Sequence, residues 1–193
     1  MEMVWPYLTA GLIILDQLTK AWASHRLQNE DLVLIPEFLS FHYTENPGAA
    51  FSFLAGHEHG TFFLTIVSIV GACFFLYLLI RTKLHPATHY STLWIVSLSF
   101  LLAGTVGNLI DRVRLGYVVD FIKFDFGSYT FPIFNVADSA IVIGVILMVI
   151  DLIIESKQSQ PPSPASQADN LASPKDISAK NISASDELRH PDA

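Results

Sequence analysis

Two aspartates stand out for their positions. Asp138, in Phe134-Asn135-Val136-Ala137-Asp138-Ser139, lies where a polar loop gives way to the last long apolar run, and Asp120, in Gly116-Tyr117-Val118-Val119-Asp120-Phe121, lies on that same loop. A carboxylate at the mouth of a membrane span is costly, because hydrocarbon cannot solvate a charge, so it needs a partner or a role. Two carboxylates held close cannot both ionise cheaply and come to share one proton. Such a pair can take a proton from water with one member and donate to a carbonyl oxygen with the other, which is the chemistry of an aspartyl protease. Asp120 and Asp138 are therefore expected to meet at one membrane surface as a catalytic dyad. Asn135 also reads as a helix N-cap, whose side chain accepts a first-turn backbone N–H. Asp138 would then sit at the third helical position, where a carboxylate suits the macrodipole. Capping explains both residues without catalysis; the second carboxylate and the membrane setting favour the dyad.

Other polar residues cluster at the ends of apolar runs. Gly104-Thr105-Val106-Gly107-Asn108-Leu109-Ile110-Asp111-Arg112 closes the third run. Asn108 and Asp111 are three apart and share a helix face. Arg112 is adjacent, and Gly104 and Gly107 permit close helix packing. Asp16 and Lys20 have the i,i+4 spacing of an ion pair, acid before base, and read as mutual neutralisation and anchoring near the interface rather than as catalysts. Asn46-Pro47-Gly48 is a turn signal, and the small residues after it let backbone approach a ligand. The pairs His57/His59 and His85/His89 lack a completing donor set, so no metal site is expected. Cys73 lies inside an apolar run and reads as a packing residue.

The elements that must position these groups follow from composition. The 193 residues are 51% hydrophobic and only 15% charged, which indicates an integral membrane protein. A net charge of −7 makes nucleic acid an unsuitable partner. Four apolar runs, roughly Val4–Ala23, Thr61–Ile80, Leu93–Ile110 and Val136–Ile154, are each long enough to span a bilayer. Trp5, Tyr7, Trp22, Tyr90 and Trp94 sit near their ends as an interfacial belt. Ala21-Trp22-Ala23 resembles a signal-peptide cleavage site, but no basic segment precedes the run and Asp16 and Lys20 interrupt it. Loop one contains β-prone Leu32–Ile35 and Phe38–Thr44; loop three contains Tyr117–Phe124 and Ser128–Phe131, with Asp125-Phe126-Gly127 as a turn. With four spans, both termini share one side and loops one and three share the other. Basic residues are too evenly spread for the positive-inside rule to choose a side. Residues 156–193 are Ser-, Pro-, Ala- and Gln-rich and carry four basic and five acidic residues, so they are expected to be a disordered polar tail behind a membrane domain of residues 1–155. Asn181-Ile182-Ser183 in that tail matches a glycosylation acceptor but is assigned no function.

Taken together, the chain resembles the bacterial lipoprotein signal peptidases (signal peptidase II) over about residues 4–155. The resemblance is carried by Asp16-Gln17-Leu18-Thr19-Lys20, Asn46-Pro47-Gly48-Ala49-Ala50-Phe51-Ser52, Gly107-Asn108-Leu109-Ile110-Asp111-Arg112, Val118-Val119-Asp120-Phe121 and Phe134-Asn135-Val136-Ala137-Asp138. Each block is short; their order and their positions at span ends make the match specific. It implies an all-α bundle of four transmembrane helices with a small extracytoplasmic β-sheet formed by loops one and three. It implies a multi-pass protein of the bacterial cytoplasmic (inner) membrane, with both termini cytoplasmic and the active site near the extracytoplasmic face. Asp120 and Asp138 would be catalytic. Asn46, Gly48, Asn108, Arg112, Asn135 and Ala137 would bind substrate or support the site, and Asp16, Lys20 and Asp111 would form a surrounding polar network. The substrates would be diacylglyceryl-modified prolipoproteins, cut just before the lipidated cysteine, with membrane lipid as the medium, no cofactor and no metal. A monomer is expected.

Three other readings compete. Asp111, Asp120, Asp138 and the asparagines could hold Mg²⁺ in an enzyme acting on lipid phosphates, although no closely spaced aspartate cluster is present. Asp16, Lys20 and the dyad could serve a transporter or proton pathway, but most charges lie at span ends and no internal repeat is evident. A purely structural scaffold leaves the two carboxylates at one interface unexplained.

Overall fold

The computed structural model describes residues 4–48, 60–84 and 90–158. Met1–Ile154 forms one compact unit, and the fold below is that of this unit. The histidine pairs, residues 49–52 of the loop-one block and the tail beyond Gln158 lie outside the described residues.

Four helices form: α1 (Val4–Arg26), α2 (Gly60–Leu84), α3 (Thr92–Leu115) and α4 (Val136–Gln158). Among the described residues α2, α3 and α4 are long and apolar enough to cross a membrane. Helix α1 has 23 residues, about 35 Å of rise, but Asp16, Gln17 and Lys20 dilute its apolar character. All four helices run past the apolar limits read from the sequence. Hydropathy marks where hydrocarbon ends, not where backbone hydrogen bonding ends. In α3 the stop is Gly116, which adopts a left-handed φ of 83° and donates its N–H to the Arg112 carbonyl. Only glycine enters that conformation without strain, so the chain turns there rather than at the first charged residue.

The strands are β1 (Leu32–Ile35), β2 (Leu39–Asn46), β3 (Val118–Phe126) and β4 (Tyr129–Thr130), in one antiparallel sheet of order β1-β2-β3-β4. Loops one and three thus share a single sheet through the β2–β3 pairing, which sets Thr44 opposite Asp120 and Asn46 opposite Val118. The β3–β4 turn differs from the expected Asp125-Phe126-Gly127. Asp125 and Phe126 remain in the ladder, paired with Thr130 and Tyr129, and the reversal falls at Gly127, with φ 65°.

Two apolar clusters fix these parts. Ala23 and Leu27, at the end of α1, are buried with Val119 and Phe121 of β3, seating the sheet on the bundle. Leu79, Leu98 and Leu102 pack at the other end of α2 and α3 with Trp5, Trp94 and Met148 around them. Much of α2 stays apolar and exposed, including Phe62, Phe63, Ile66, Val67, Val70 and Phe74, as a lipid-facing surface requires.

Candidate active site

The segment before α4 folds back along β3. Phe134 accepts from the N–H groups of Phe121 and Ile122 at 3.1 and 2.8 Å, and donates to the Ile122 carbonyl at 3.2 Å. This bridge brings the first turn of α4 against Asp120. Asn135 then caps α4 as a reciprocal box. Its Oδ1 accepts from the Asp138 N–H at 2.9 Å, and Asp138 Oδ2 accepts from the Asn135 N–H at 3.2 Å. The capping and dyad readings are therefore compatible, because one oxygen caps and the other faces inward. Asp138 Oδ1 accepts from Asn108 Nδ2 at 2.7 Å.

Asn135 also joins the two carboxylates. It is fully buried, and its Nδ2 donates to Asp120 Oδ1 at 2.7 Å, to Asn108 Oδ1 at 3.1 Å and to the Val119 carbonyl at 3.2 Å. The second oxygen of Asp120 accepts from Asn46 Nδ2 at 2.8 Å. Asn46 is oriented for this, since its own Oδ1 takes the Gly48 N–H at 2.9 Å in a tight turn where Gly48 has φ 114°. Asp120 is only 2% exposed, whereas Asp138 is half-buried. Burial, reinforced by the neighbouring Asp138 charge, pushes the Asp120 carboxyl up to about 6, against the opposing pull of Asn46, Asn135 and Lys20. Asp120 is thus poised to hold a proton beside a second carboxylate.

A buried ionic knot lies behind the pair. Lys20 Nζ contacts Asp16 Oδ2 at 2.9 Å, Asp111 Oδ2 at 3.0 Å and Asn108 Oδ1 at 2.9 Å, which uses all three ammonium donors. The expected Asp16–Lys20 pair forms, and its residues are 1% and 3% exposed, buried inside the bundle. They are drawn inward because α3 supplies Asp111 as a second counter-charge and Gly107 as the space. A Cβ at Gly107 would lie 2.6 Å from Asp16 Oδ2. Each carboxylate of the knot also holds a backbone N–H next to Asp138 or Asp120. Asp16 Oδ1 takes that of Ala137 at 2.8 Å, and Asp111 Oδ2 takes that of Val119 at 3.1 Å.

Asn46, Gly48, Asn108, Arg112, Asp120 and Asp138 line one cavity of about 550 Å³. Its remaining wall is largely apolar, with Leu64 from α2, Phe131 and Ile133 from the loop, and Val142 and Ile143 from α4. Of the site residues expected from the sequence, Asn46, Gly48, Asn108, Arg112, Asp120 and Asp138 thus line the cavity, Asp16, Lys20 and Asp111 form the knot behind it, and Asn135 and Ala137 are hydrogen-bonded between the two. Sequence reasoning missed Gln17, whose Nε2 donates to Asp16, to the Gly107 carbonyl and to Asp111 at 3.1–3.2 Å. It also missed Thr61 and Ser68 on α2. Thr61 Oγ1 donates to the Pro47 carbonyl at 2.9 Å, and Arg112 Nη1 donates to Ser68 Oγ at 3.2 Å.

The family model for signal peptidase (SPase) II matches residues 8–154. This chain belongs to the signal peptidase II family. It is an aspartic peptidase of that family and a multi-pass membrane protein. A lipoprotein signal peptidase of Syntrophus aciditrophicus (strain SB) is 42% identical over 156 residues, covering 78% of this chain and 93% of its own. One of Clostridium tetani (strain Massachusetts / E88) is 43% identical over 145 residues, covering 74% of this chain and 88% of its own. Among solved structures, a bacterial membrane enzyme determined by the in meso method at 2.3 Å matches with a TM-score of 0.70 and 34% identity, over 83% of this chain and 93% of that one. A second, at 1.9 Å, matches with a TM-score of 0.66 and 36% identity, over 77% of this chain and 92% of that one.

Proposed function

We propose that Asp120 and Asp138 are the catalytic pair with which this signal peptidase II cuts prolipoproteins just before a diacylglyceryl-modified cysteine. The observation that carries the reading is Asn135, whose side-chain amide donates to the Asp120 carboxylate, whose backbone N–H donates to the Asp138 carboxylate, and whose side-chain oxygen accepts the Asp138 N–H. Two acids are held by one residue in one cavity, and the deeper one is pushed toward its protonated form.

In the proposed reaction Asp120 holds the shared proton and Asp138 is ionised. Asp138 takes a proton from water as the water oxygen bonds to the scissile carbonyl carbon. Asp120 gives its proton to the carbonyl oxygen, forming a neutral diol. When the carbon–nitrogen bond breaks, the proton on Asp138 passes to the departing cysteine nitrogen and a diol proton returns to Asp120. Asn46, Asn108 and Arg112 would orient the peptide through its backbone oxygens. The apolar wall of the cavity suits a substrate whose acyl chains remain in lipid. All the groups come from one chain, which supports a monomer as the working unit. Both termini would face the cytoplasm, with the sheet and the dyad at the extracytoplasmic face of the inner membrane.

The test uses purified protein in liposomes with a lipidated precursor, comparing wild type with Asp120→Asn and Asp138→Asn, each with and without EDTA. Wild type alone should cleave, with or without the chelator. Cleavage by either variant would overturn the dyad, and loss of wild-type cleavage with EDTA would turn the aspartates into metal ligands.

A further inference from the structure

We propose that Ser68 of α2 is a positioning residue for this peptidase, anchoring the Arg112 guanidinium against the wall of the dyad cavity. Arg112 stands on the last turns of α3, and its Nη1 donates to Ser68 Oγ at 3.2 Å and to the Asn108 carbonyl at 3.4 Å. Among the described residues it forms no ion pair within 4.0 Å, although it lines the same cavity as both aspartates. A cation beside two acids, unless restrained, moves onto one of them. Among the described residues the contact with Ser68 is the one hydrogen bond to the guanidinium that comes from another helix.

The Ser68 hydroxyl is unusual for this bundle. The hydroxyls of Thr19, Thr65, Thr82, Ser97, Ser99 and Thr105 all donate to carbonyls of their own helix. That is the ordinary fate of a hydroxyl in an apolar helix. Among the described residues Ser68 makes no such bond and instead accepts from Arg112. It also belongs to a stripe. Thr61, Leu64 and Ser68 are spaced i, i+3, i+7 on one helical face. Thr61 holds the Pro47 carbonyl, Leu64 abuts Gly48, and Ser68 holds Arg112. A helix whose outer face is apolar and exposed thus fixes both sides of the cavity opposite the knot.

This inference rests on Arg112 orienting substrate, and the experiment separates the two. Cleavage of a lipidated precursor peptide in micelles is compared for wild type, Ser68→Ala, Ser68→Thr, Arg112→Ala, Ser68→Ala with Arg112→Ala, and Asp120→Asn, with thermal unfolding of each. Ser68→Ala should lower kcat/KM about tenfold, because a displaced orienting group spoils attack geometry. Threonine, which restores the acceptor, should recover most of the rate. The double variant should be no slower than Arg112→Ala alone, since both changes act through one group. If Ser68→Ala folds poorly, Ser68→Cys keeps the volume with a weak acceptor and takes its place in the comparison. Wild-type rates in Ser68→Ala, no recovery with threonine, or a further loss in the double variant would each overturn the proposal. A full rate in Arg112→Ala or Asp120→Asn would instead overturn the reading of the site on which it rests.

Discussion

Replacing Lys20 with methionine tests the ionic knot most directly. The side chain is 3% exposed and its ammonium contacts Asp16, Asp111 and Asn108 at 2.9–3.0 Å. Methionine fills a similar volume and supplies no charge, so two carboxylates, 2% and 4% exposed, are left facing each other without a cation. Removing one partner of a buried ion pair costs about 3–5 kcal/mol, most of it the penalty of the uncompensated charge. Against a total stability of about 5–15 kcal/mol that is a fifth or more of what holds the fold. For a chain of this size it corresponds to a fall in Tm of roughly 6–20 °C. Activity should fall as well, because Asp16 and Asp111 hold the N–H groups of Ala137 and Val119, the neighbours of Asp138 and Asp120. The assay is unfolding in micelles, followed by tryptophan fluorescence, alongside precursor cleavage. Adding Asp16→Asn and Asp111→Asn to Lys20→Met removes the stranded charges and should recover about half of the lost stability. Arginine should not substitute for Lys20, since a planar fork cannot meet three separately placed acceptors as an ammonium does. A Lys20→Met protein that unfolds within about 2 °C of wild type, or a triple variant no more stable than the single one, would refute the argument.

Two further outcomes follow from the same geometry. Burial and the Asp138 charge raise Asp120 to about 6, so its proton is lost as pH rises through that value. The pH profile of kcat/KM should therefore fall on its alkaline side with an apparent value near 6 belonging to the pair, and on its acid side when both carboxyls are protonated. A raised carboxyl favours the fold fully below its unfolded value, 3.8, and that contribution is lost as pH rises through about 6. A rate profile flat from about pH 5 to about pH 8 would contradict the assignment. Gly104→Ala would drive a Cβ into the Ala137 carbonyl and to 3.1 Å from the Ile141 nitrogen, both backbone atoms that cannot yield cheaply. We expect a stability loss of about 1–3 kcal/mol and a clear fall in cleavage as the first turn of α4 moves. Gly11→Ala, inside α1 with nothing within 4 Å, is the control and should cleave like wild type and unfold no earlier.

How much of this was legible in the sequence depended on which physical signal each residue carries. Charges and amides in apolar runs are expensive, so Asp16, Lys20, Asn108, Asp111 and Asn135 advertise themselves, and the fold gathers them. Their depth was not legible. An i,i+4 pair near a helix end looks the same whether it faces headgroups or a third charge, and only the approach of Asp111 across Gly107 decides it. The strands of loops one and three were visible as β-prone runs, while their joining in one sheet came from the family resemblance. The exact turn was not, because Phe126 fits a ladder and a turn equally and Gly127 carries the positive φ.

Hydroxyls are the residues that sequence reading passes over. Thr61, Thr65, Ser68 and Thr82 sit in one apolar helix, and two of the four bond back to their own backbone. Such a hydroxyl costs hydrocarbon little and looks the same in sequence whether or not it serves a site. What separates Thr61 and Ser68 is that the turn at Pro47 and the last turn of α3 come within hydrogen-bond reach of them. The distribution has a mechanical sense. The knot at Lys20 fixes the backbone on which both acids stand, from the side of α1 and α3. The stripe on α2 fixes the Asn46–Gly48 turn and Arg112 from the opposite side, and the wall between them is apolar. Charged groups hold the backbone beside Asp120 and Asp138, and neutral hydroxyls are used where the helix also meets lipid, which solvates ions poorly.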